Sequence, residues 1–100
     1  MKNSIKNRED IDNIFKFGKS ITEGIICAKF LESSETKFLF AVSSSKFKRA
    51  VDRNRIKRLM RESVRGIKVC NKSIAFIFIG NGVPDFEIVK NSIDKIANRI

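Results

Sequence analysis

The chain contains no histidine, no tryptophan, no tyrosine and a single proline. Histidine is the commonest general base in enzymes and the commonest metal ligand. There is also no cysteine pair at metal-binding spacing, no glycine loop able to cradle phosphates and no nucleophile elbow. We therefore predict no catalytic residue, no metal site and no cofactor bound by the protein itself.

Long apolar runs are also missing. The longest, residues 74–79, is far too short to cross a bilayer. Residues 1–10 are polar and of mixed charge, unlike an export signal. We therefore expect a cytoplasmic protein without a membrane partner, in which Cys27 and Cys70 are buried structural thiols rather than a disulfide.

Positive charge is abundant. Lys and Arg number 21 against 11 Asp and Glu, which gives a formal net charge of +10. The length of 100 residues and the 42% of hydrophobic residues suit one globular domain spanning residues 1–100. So many positive charges repel one another in the folded state, which indicates a polyanionic partner. Nucleic acid is the first candidate and an anionic membrane the second.

Hydrophobic spacing predicts a mixed α+β organisation. The continuous apolar run 74–79 favours an interior strand of a sheet, and the turn at residues 33–35 favours a hairpin over residues 25–42. The last helix would bury Ile88 or Val89, Ile93, Ile96 and Ile100, and in the first helix Ile11, Ile14 and Phe15, with Phe17 at its end, fall at helical spacing. The predicted elements are a helix 6–17 ended by Gly18, a strand 20–32 broken at Gly24, a strand 38–42, a helix 48–66, a strand 74–79 and a helix 85–99 capped by Asp85.

The helix over residues 48–66 separates apolar from basic side chains. At about 100° per residue, its apolar side collects Ile56, Leu59, Met60, Ser63, Val64 and Ile67. Its opposite side collects Asn54, Arg55, Lys57, Arg58, Arg61 and Arg65, with Arg53 near the boundary. A solvated helix face usually mixes charge signs, whereas this one is nearly all positive, so we interpret it as a nucleic-acid surface.

Two segments carry a resemblance to a known family. Residues 40–43 read FAVS, and residues 48–62 read KRAVDRNRIKRLMRE. They resemble the signature of the bacterial ribonuclease P protein subunit, a strand ending F-x-V-S followed by K-x-A-V-x-R-N-R-x-K-R-x-x-R-E on a helix. Arg8-Glu9-Asp10, Phe15-Lys16 and Gly18-Lys19-Ser20 also resemble the family's first helix and its exit.

The resemblance implies a fold and a function. The fold is two-layer α+β, with a four-stranded mixed sheet and the order α-β-β-β-α-β-α, like domain 2 of ribosomal protein S5. The function is that of the protein cofactor in a ribonucleoprotein that cleaves the 5′ leader from precursor tRNA. In that family the RNA subunit performs the chemistry and holds the Mg²⁺ ions. The protein alone is not expected to cleave, and nothing indicates oligomerisation.

The resemblance also implies two sets of site residues. The set for the RNA subunit is Lys48, Arg49, Arg53, Asn54, Arg55, Lys57, Arg58, Arg61 and Arg65. The set for the leader, in a cleft between the sheet and the first helix, is Ile11, Phe15, Lys16, Lys19 and Lys29. Here the chain departs from the family, which carries aromatic residues at the positions of Ile11 and Lys29 and more positive charge at Ser44, Ser45 and Gly80 or Asn81.

Several alternatives stay open at this point. Phe15 could stack on a leader base or belong to the core of the first helix. The charge and size also suit a ribosomal or other structural RNA-binding protein. A DNA-binding helix in a major groove fits less well, because strands rather than helices flank the basic helix. A membrane-surface helix fits least, since the core requires its apolar side.

Overall fold

The computed structural model describes residues 8–100 and confirms the predicted order of elements. Residues 6 and 7 of the predicted first helix lie outside the described residues. A 3-10 turn over Val64–Gly66 prolongs the second helix to the predicted glycine. The elements are α1 (Arg8–Phe17), β1 (Lys19–Glu23), β2 (Ile26–Glu32), β3 (Lys37–Val42), α2 (Ala50–Ser63), β4 (Lys72–Phe78) and α3 (Phe86–Arg99).

The strands form one four-stranded mixed sheet in the order β1-β2-β4-β3. β1 and β2 are antiparallel, β2 and β4 are antiparallel, and β3 and β4 are parallel. β4 has the interior position that its continuous apolar run predicted, and Ile74, Ala75 and Phe76 are almost completely buried. α2 provides the crossover between the two parallel strands.

The predicted hairpin over residues 25–42 is wrong. β2 and β3 follow each other in the chain, but β4 lies between them and pairs with both. Because β4 is apolar on both faces, it is best buried with a strand on each side, which outweighs the local turn signal at residues 33–35. The hairpin in the fold joins β1 and β2 through a tight turn at Gly24, whose φ of 57° suits glycine.

The main core lies between one face of the sheet and the helices α2 and α3. Phe76 of β4 is its centre, with its ring 5.9 Å from that of Phe40 and 6.0 Å from that of Phe38. The predicted apolar side of α2 is confirmed, as is most of the predicted stripe on α3, where Ile88 proves half-exposed. The helix residues buried here are Ile56, Met60, Ser63, Val64, Val89, Ser92, Ile93 and Ile96.

The opposite face of the sheet is covered in part by α1. Ile14 is buried there against Ala75, with Ile11, Leu31 and Leu39 around them. Phe15 and Phe17 are 43% and 71% exposed, so neither belongs to the core beneath α1. A helix of 10 residues that packs through one turn cannot bury side chains on its other sides.

The two cysteines also differ from prediction. Both are free thiols, but Cys27 on β2 is only half-buried and Cys70 is exposed. Cys70 follows an apolar residue, yet it lies in the segment that links the 3-10 turn to β4, where no layer covers it. No helix within residues 8–100 has the length and apolar character needed to cross a membrane.

Gly18 offers a test of how α1 joins the sheet. Its N–H donates a 2.9 Å hydrogen bond to the carbonyl oxygen of Ile14. A Cβ at Gly18 would lie 2.3 Å from that oxygen and 3.1 Å from the carbonyl oxygen of Phe30. We expect Gly18→Ala to lower the free energy of unfolding by roughly 1–3 kcal/mol, because backbone must move. Urea denaturation measures this.

Gly82→Ala is the matched control for Gly18→Ala. A Cβ at Gly82 would meet no atom within 4 Å. Its substitution should leave stability within about 0.5 kcal/mol of the wild type or raise it slightly. Equal effects of the two substitutions would show that the close approach at Gly18 is not a constraint on the fold.

Candidate nucleic-acid interface

The loop between β3 and α2 is held in place by an aromatic anchor. Phe47 is buried, and its ring centroid lies 5.7 Å from that of Phe78. Arg49 has an extended backbone and precedes the first helical residue, Ala50, so the helix begins two residues later than predicted. Lys48 and Arg49 are therefore exposed cations at the N-terminal end of α2.

The outer side of α2 presents most of the predicted RNA-binding residues on one surface, which we call the α2 basic face. Asn54, Arg55, Arg58, Arg61 and Arg65 are exposed, and Lys57 is half-buried. Arg49, Asn54, Arg55 and Arg58 also line an open groove with Val51 and Asp52. The burial of Ile56 and Met60 on the other side fixes which way these side chains face.

Little of this charge is neutralised within the protein. In the described part of the chain, the one cation of this face with a carboxylate within ion-pair distance is Arg65, in the 3-10 turn that follows α2, and its partner is Glu62 at 3.6 Å. Like charges three and four residues apart repel each other by a few tenths of a kcal/mol per pair, so the face gains stability from an added polyanion.

Arg53 differs from its neighbours. It is half-buried, and its Nη1 donates hydrogen bonds to the carbonyl oxygens of Phe47 at 2.7 Å and Lys48 at 3.0 Å. The structure places Arg53 at the boundary of the basic side, as predicted. Its guanidinium ties the loop to the first turn of α2, and this contact fixes where Lys48 and Arg49 project.

The predicted leader residues are divided among three elements, α1, β1 and β2. Phe15 on α1 and Lys29 on β2 meet, with the Lys29 Nζ 5.7 Å from the ring centroid. Ile11 packs with the small cluster beneath α1, whereas Lys16 and Lys19 are exposed. The structure thus brings Phe15 and Lys29 together on the sheet face opposite to α2, whereas it shows no contact of Lys16 or Lys19 with either of them.

Two exposed residues, Lys46 and Phe17, were not among the predicted site residues. Lys46 donates from Nζ to the carbonyl oxygen of Ile79 at 3.3 Å and to Asn81 Oδ1 at 3.4 Å, which links the loops after β3 and β4. Phe17 lines a small cavity with Lys19, Phe30, Leu31 and Glu32. The glycine after Phe17 was the available signal, because a side chain in the last turn of a helix is less often covered.

Within residues 8–100, no group of three or more His, Cys, Asp or Glu side chains is arranged to hold a metal ion. The described site consists of cations, one amide and one aromatic ring. Such a set can bind phosphates, hydrogen-bond to bases or sugars and support stacking, but it offers no general acid–base pair.

The contacts of Arg53 lead to a stability prediction. Arg53→Ala should lower the free energy of unfolding by about 1–2 kcal/mol, because two carbonyl oxygens are deprived of a charged donor. Arg55→Ala removes the same charge from an exposed site and should change stability by less than about 0.5 kcal/mol. Arg53→Lys should recover less than half of the loss. Equal unfolding midpoints for the Arg53 and Arg55 variants would show that the Arg53 hydrogen bonds contribute nothing.

Comparisons with known proteins agree on one family. The family model described as Ribonuclease P matches residues 1–100. The ribonuclease P protein component of Porphyromonas gingivalis is 32% identical over 108 residues, covering 93% of this chain and 79% of the relative. That of Macrococcus caseolyticus is 38% identical over 98 residues, covering 96% and 84%.

Solved structures extend the agreement to the fold. The ribonuclease P protein from Thermotoga maritima superposes with a TM-score of 0.85 at 23% identity, covering 97% of this chain and 96% of that one. A Staphylococcus aureus ribonuclease P protein gives a TM-score of 0.80 at 23% identity, covering 97% and 94%. Because the family model matches residues 1–100, this chain belongs to the ribonuclease P protein family.

Proposed function

We propose that this protein component of the ribonuclease P endoribonuclease docks on the catalytic RNA subunit through the α2 basic face. The observation that carries the proposal is the row of exposed cations with almost no carboxylate partners, among the described residues, on a helix fixed by its buried side. The arginines would displace the cations condensed on the RNA phosphates, and the bound phosphates would remove the repulsion between the arginines. Lys48, whose carbonyl oxygen accepts a hydrogen bond from Arg53, and the exposed Arg49 extend the same surface at its N-terminal end.

The proposed division of labour assigns the chemistry to the RNA. The described residues provide no acid–base pair and no metal cluster, whereas phosphates and sugars of a large RNA can hold Mg²⁺. The protein would neutralise negative charge on the RNA and position the substrate. Both effects would lower the Mg²⁺ concentration that the RNA subunit needs to fold and to bind precursor tRNA. It binds no cofactor of its own in this proposal. Maturation of precursor tRNA would place its action in the cytoplasm.

A second surface is proposed for the 5′ leader of precursor tRNA. Phe15 of α1 and Lys29 of β2 lie together, and Lys16 and Lys19 are exposed to solvent. This surface is on the sheet face opposite to α2, so one small domain can contact two separate RNA segments. Contact with the leader would distinguish precursor from mature tRNA, which has no leader to bind.

Reconstitution tests the proposed function directly. The protein freed of RNA should not cleave precursor tRNA at any Mg²⁺ concentration. Together with a bacterial ribonuclease P RNA, it should produce the mature 5′ end at an Mg²⁺ concentration at which the RNA alone is slow. Cleavage is measured by gel analysis of end-labelled substrate. Binding to ribosomal RNA with equal affinity, and no stimulation of cleavage, would support a structural RNA-binding protein instead.

Salt dependence tests the α2 basic face. Arg55→Ala, Arg58→Ala and Arg61→Ala should each weaken binding to the RNA subunit. Each should also reduce the slope of log K against log salt by about 0.7–0.9 for every phosphate that the variant no longer neutralises. Lys95→Ala, on the exposed side of α3, is the control that removes one charge elsewhere. Slopes that match the wild type in all three arginine variants would exclude this face as the docking surface.

A further inference from the structure

Lys29 occupies an unusual position for a lysine, on a strand in the interior of the sheet. In the register of β2 it lies opposite Ser20 of β1 and Ala75 of β4, both with small side chains. Lys29 is half-buried, and its side chain extends toward α1. Its ammonium group reaches the ring of Phe15, which is 43% exposed.

The ammonium group of Lys29 is not paired with an acidic side chain in the described part of the chain. Among the described residues, no carboxylate lies within ion-pair distance of its Nζ, unlike Lys37, Lys72 and Lys90, which each have one. The Phe15 ring attracts the cation through its quadrupole, and a separation of 5.7 Å is within the range of about 6 Å for this interaction. The ring, however, is a much weaker hydrogen-bond acceptor than an anionic oxygen.

The same contact changes what Phe15 can do. A nucleic-acid base that stacks on a phenyl ring needs van der Waals contact with an open ring face. The face directed at β2 carries the Lys29 ammonium. A base arriving from the sheet side would have to displace this cation, whereas a phosphate oxygen would bind the cation without disturbing the ring.

From this arrangement we propose that Lys29, oriented by Phe15, binds a phosphate of the precursor tRNA leader, so that this part of the cleft recognises the RNA backbone rather than a base. The inference rests on the proposed function, because it specifies the leader contact of that same surface. Phe15 is then a positioning residue, which holds the lysine stem over the sheet. Recognition at this point is expected to be indifferent to leader sequence and sensitive to salt.

Modified leaders test the proposal in the reconstituted holoenzyme. Precursor tRNAs are prepared with a single abasic nucleotide or a single uncharged methylphosphonate linkage at each leader position in turn. One methylphosphonate position should weaken wild-type binding by about 3- to 10-fold. Abasic nucleotides should change it by less than about 2-fold. An abasic leader that loses as much affinity as the methylphosphonate leader would overturn the proposal in favour of stacking.

Lys29 variants connect the effect to this residue. Lys29→Met should bind the unmodified leader as weakly as the wild type binds the sensitive methylphosphonate leader, with no further loss when both changes are combined. Lys29→Arg should restore at least half of the affinity, and Lys95→Met should behave as the wild type. Additive losses from Lys29→Met and the methylphosphonate would show that the lysine contacts something else.

Phe15 variants test the positioning role, and mature tRNA separates the two proposals. Phe15→Ala should weaken precursor binding in the wild type but add less than about 2-fold to Lys29→Met, because both act through one contact. If the wild-type holoenzyme binds precursor and mature tRNA equally, the leader surface and this inference both fail. If it prefers precursor tRNA but ignores Lys29→Met, only the inference is overturned.

Discussion

The parallel pairing of β3 with β4 is the constraint on which the rest of the structure depends. Parallel neighbours cannot be joined by a tight turn, so the chain needs a crossover element between them. That element is α2, which carries the basic face. Because β4 also pairs with β2 and is buried on both faces, it cannot move without breaking the core. The position of the cationic surface is therefore fixed by the most deeply buried strand of the protein.

The two sides of α2 have opposite energetic effects. Ile56 and Met60 are fully buried, and hydrophobic burial of such side chains contributes about 1.5–3 kcal/mol each. This exceeds the like-charge repulsion on the outer side, a few tenths of a kcal/mol per pair. The core thus holds the arginines in a row that they would not adopt by themselves. The surface is preorganised for phosphates, whereas Arg53 is committed to the protein's own backbone.

The accuracy of the predictions depended on the kind of sequence pattern behind each of them. The order of elements, the two sides of α2 and the interior place of β4 were predicted correctly, because each depends on a repeating pattern within one segment. The hairpin over residues 25–42 was wrong, because strand neighbours depend on long-range pairing that local turn residues do not determine. The exposure of Cys70 was missed, and Phe15 and Phe17 could not be assigned to core or surface, since periodicity shows which residues share a side but not whether another layer covers it. The Lys29–Phe15 contact needed the register of β2 and the packing of α1 together.

The uneven covering of the sheet explains why one small domain has two distinct surfaces. α2 and α3 cover one face, so the molecular surface on that side is formed by the outer sides of these helices. α1 covers the other face through Ile14 and its few neighbours, so part of that face stays open to a strand of RNA. The α2 basic face is an array of charges on a helix whose opposite side is buried, which suits the fixed shape of a folded RNA. The open face has Lys29, oriented by the Phe15 ring, which suits a leader of variable sequence because every nucleotide offers the same phosphate. The different chemistry of the two surfaces thus matches the two RNA segments that they are proposed to bind.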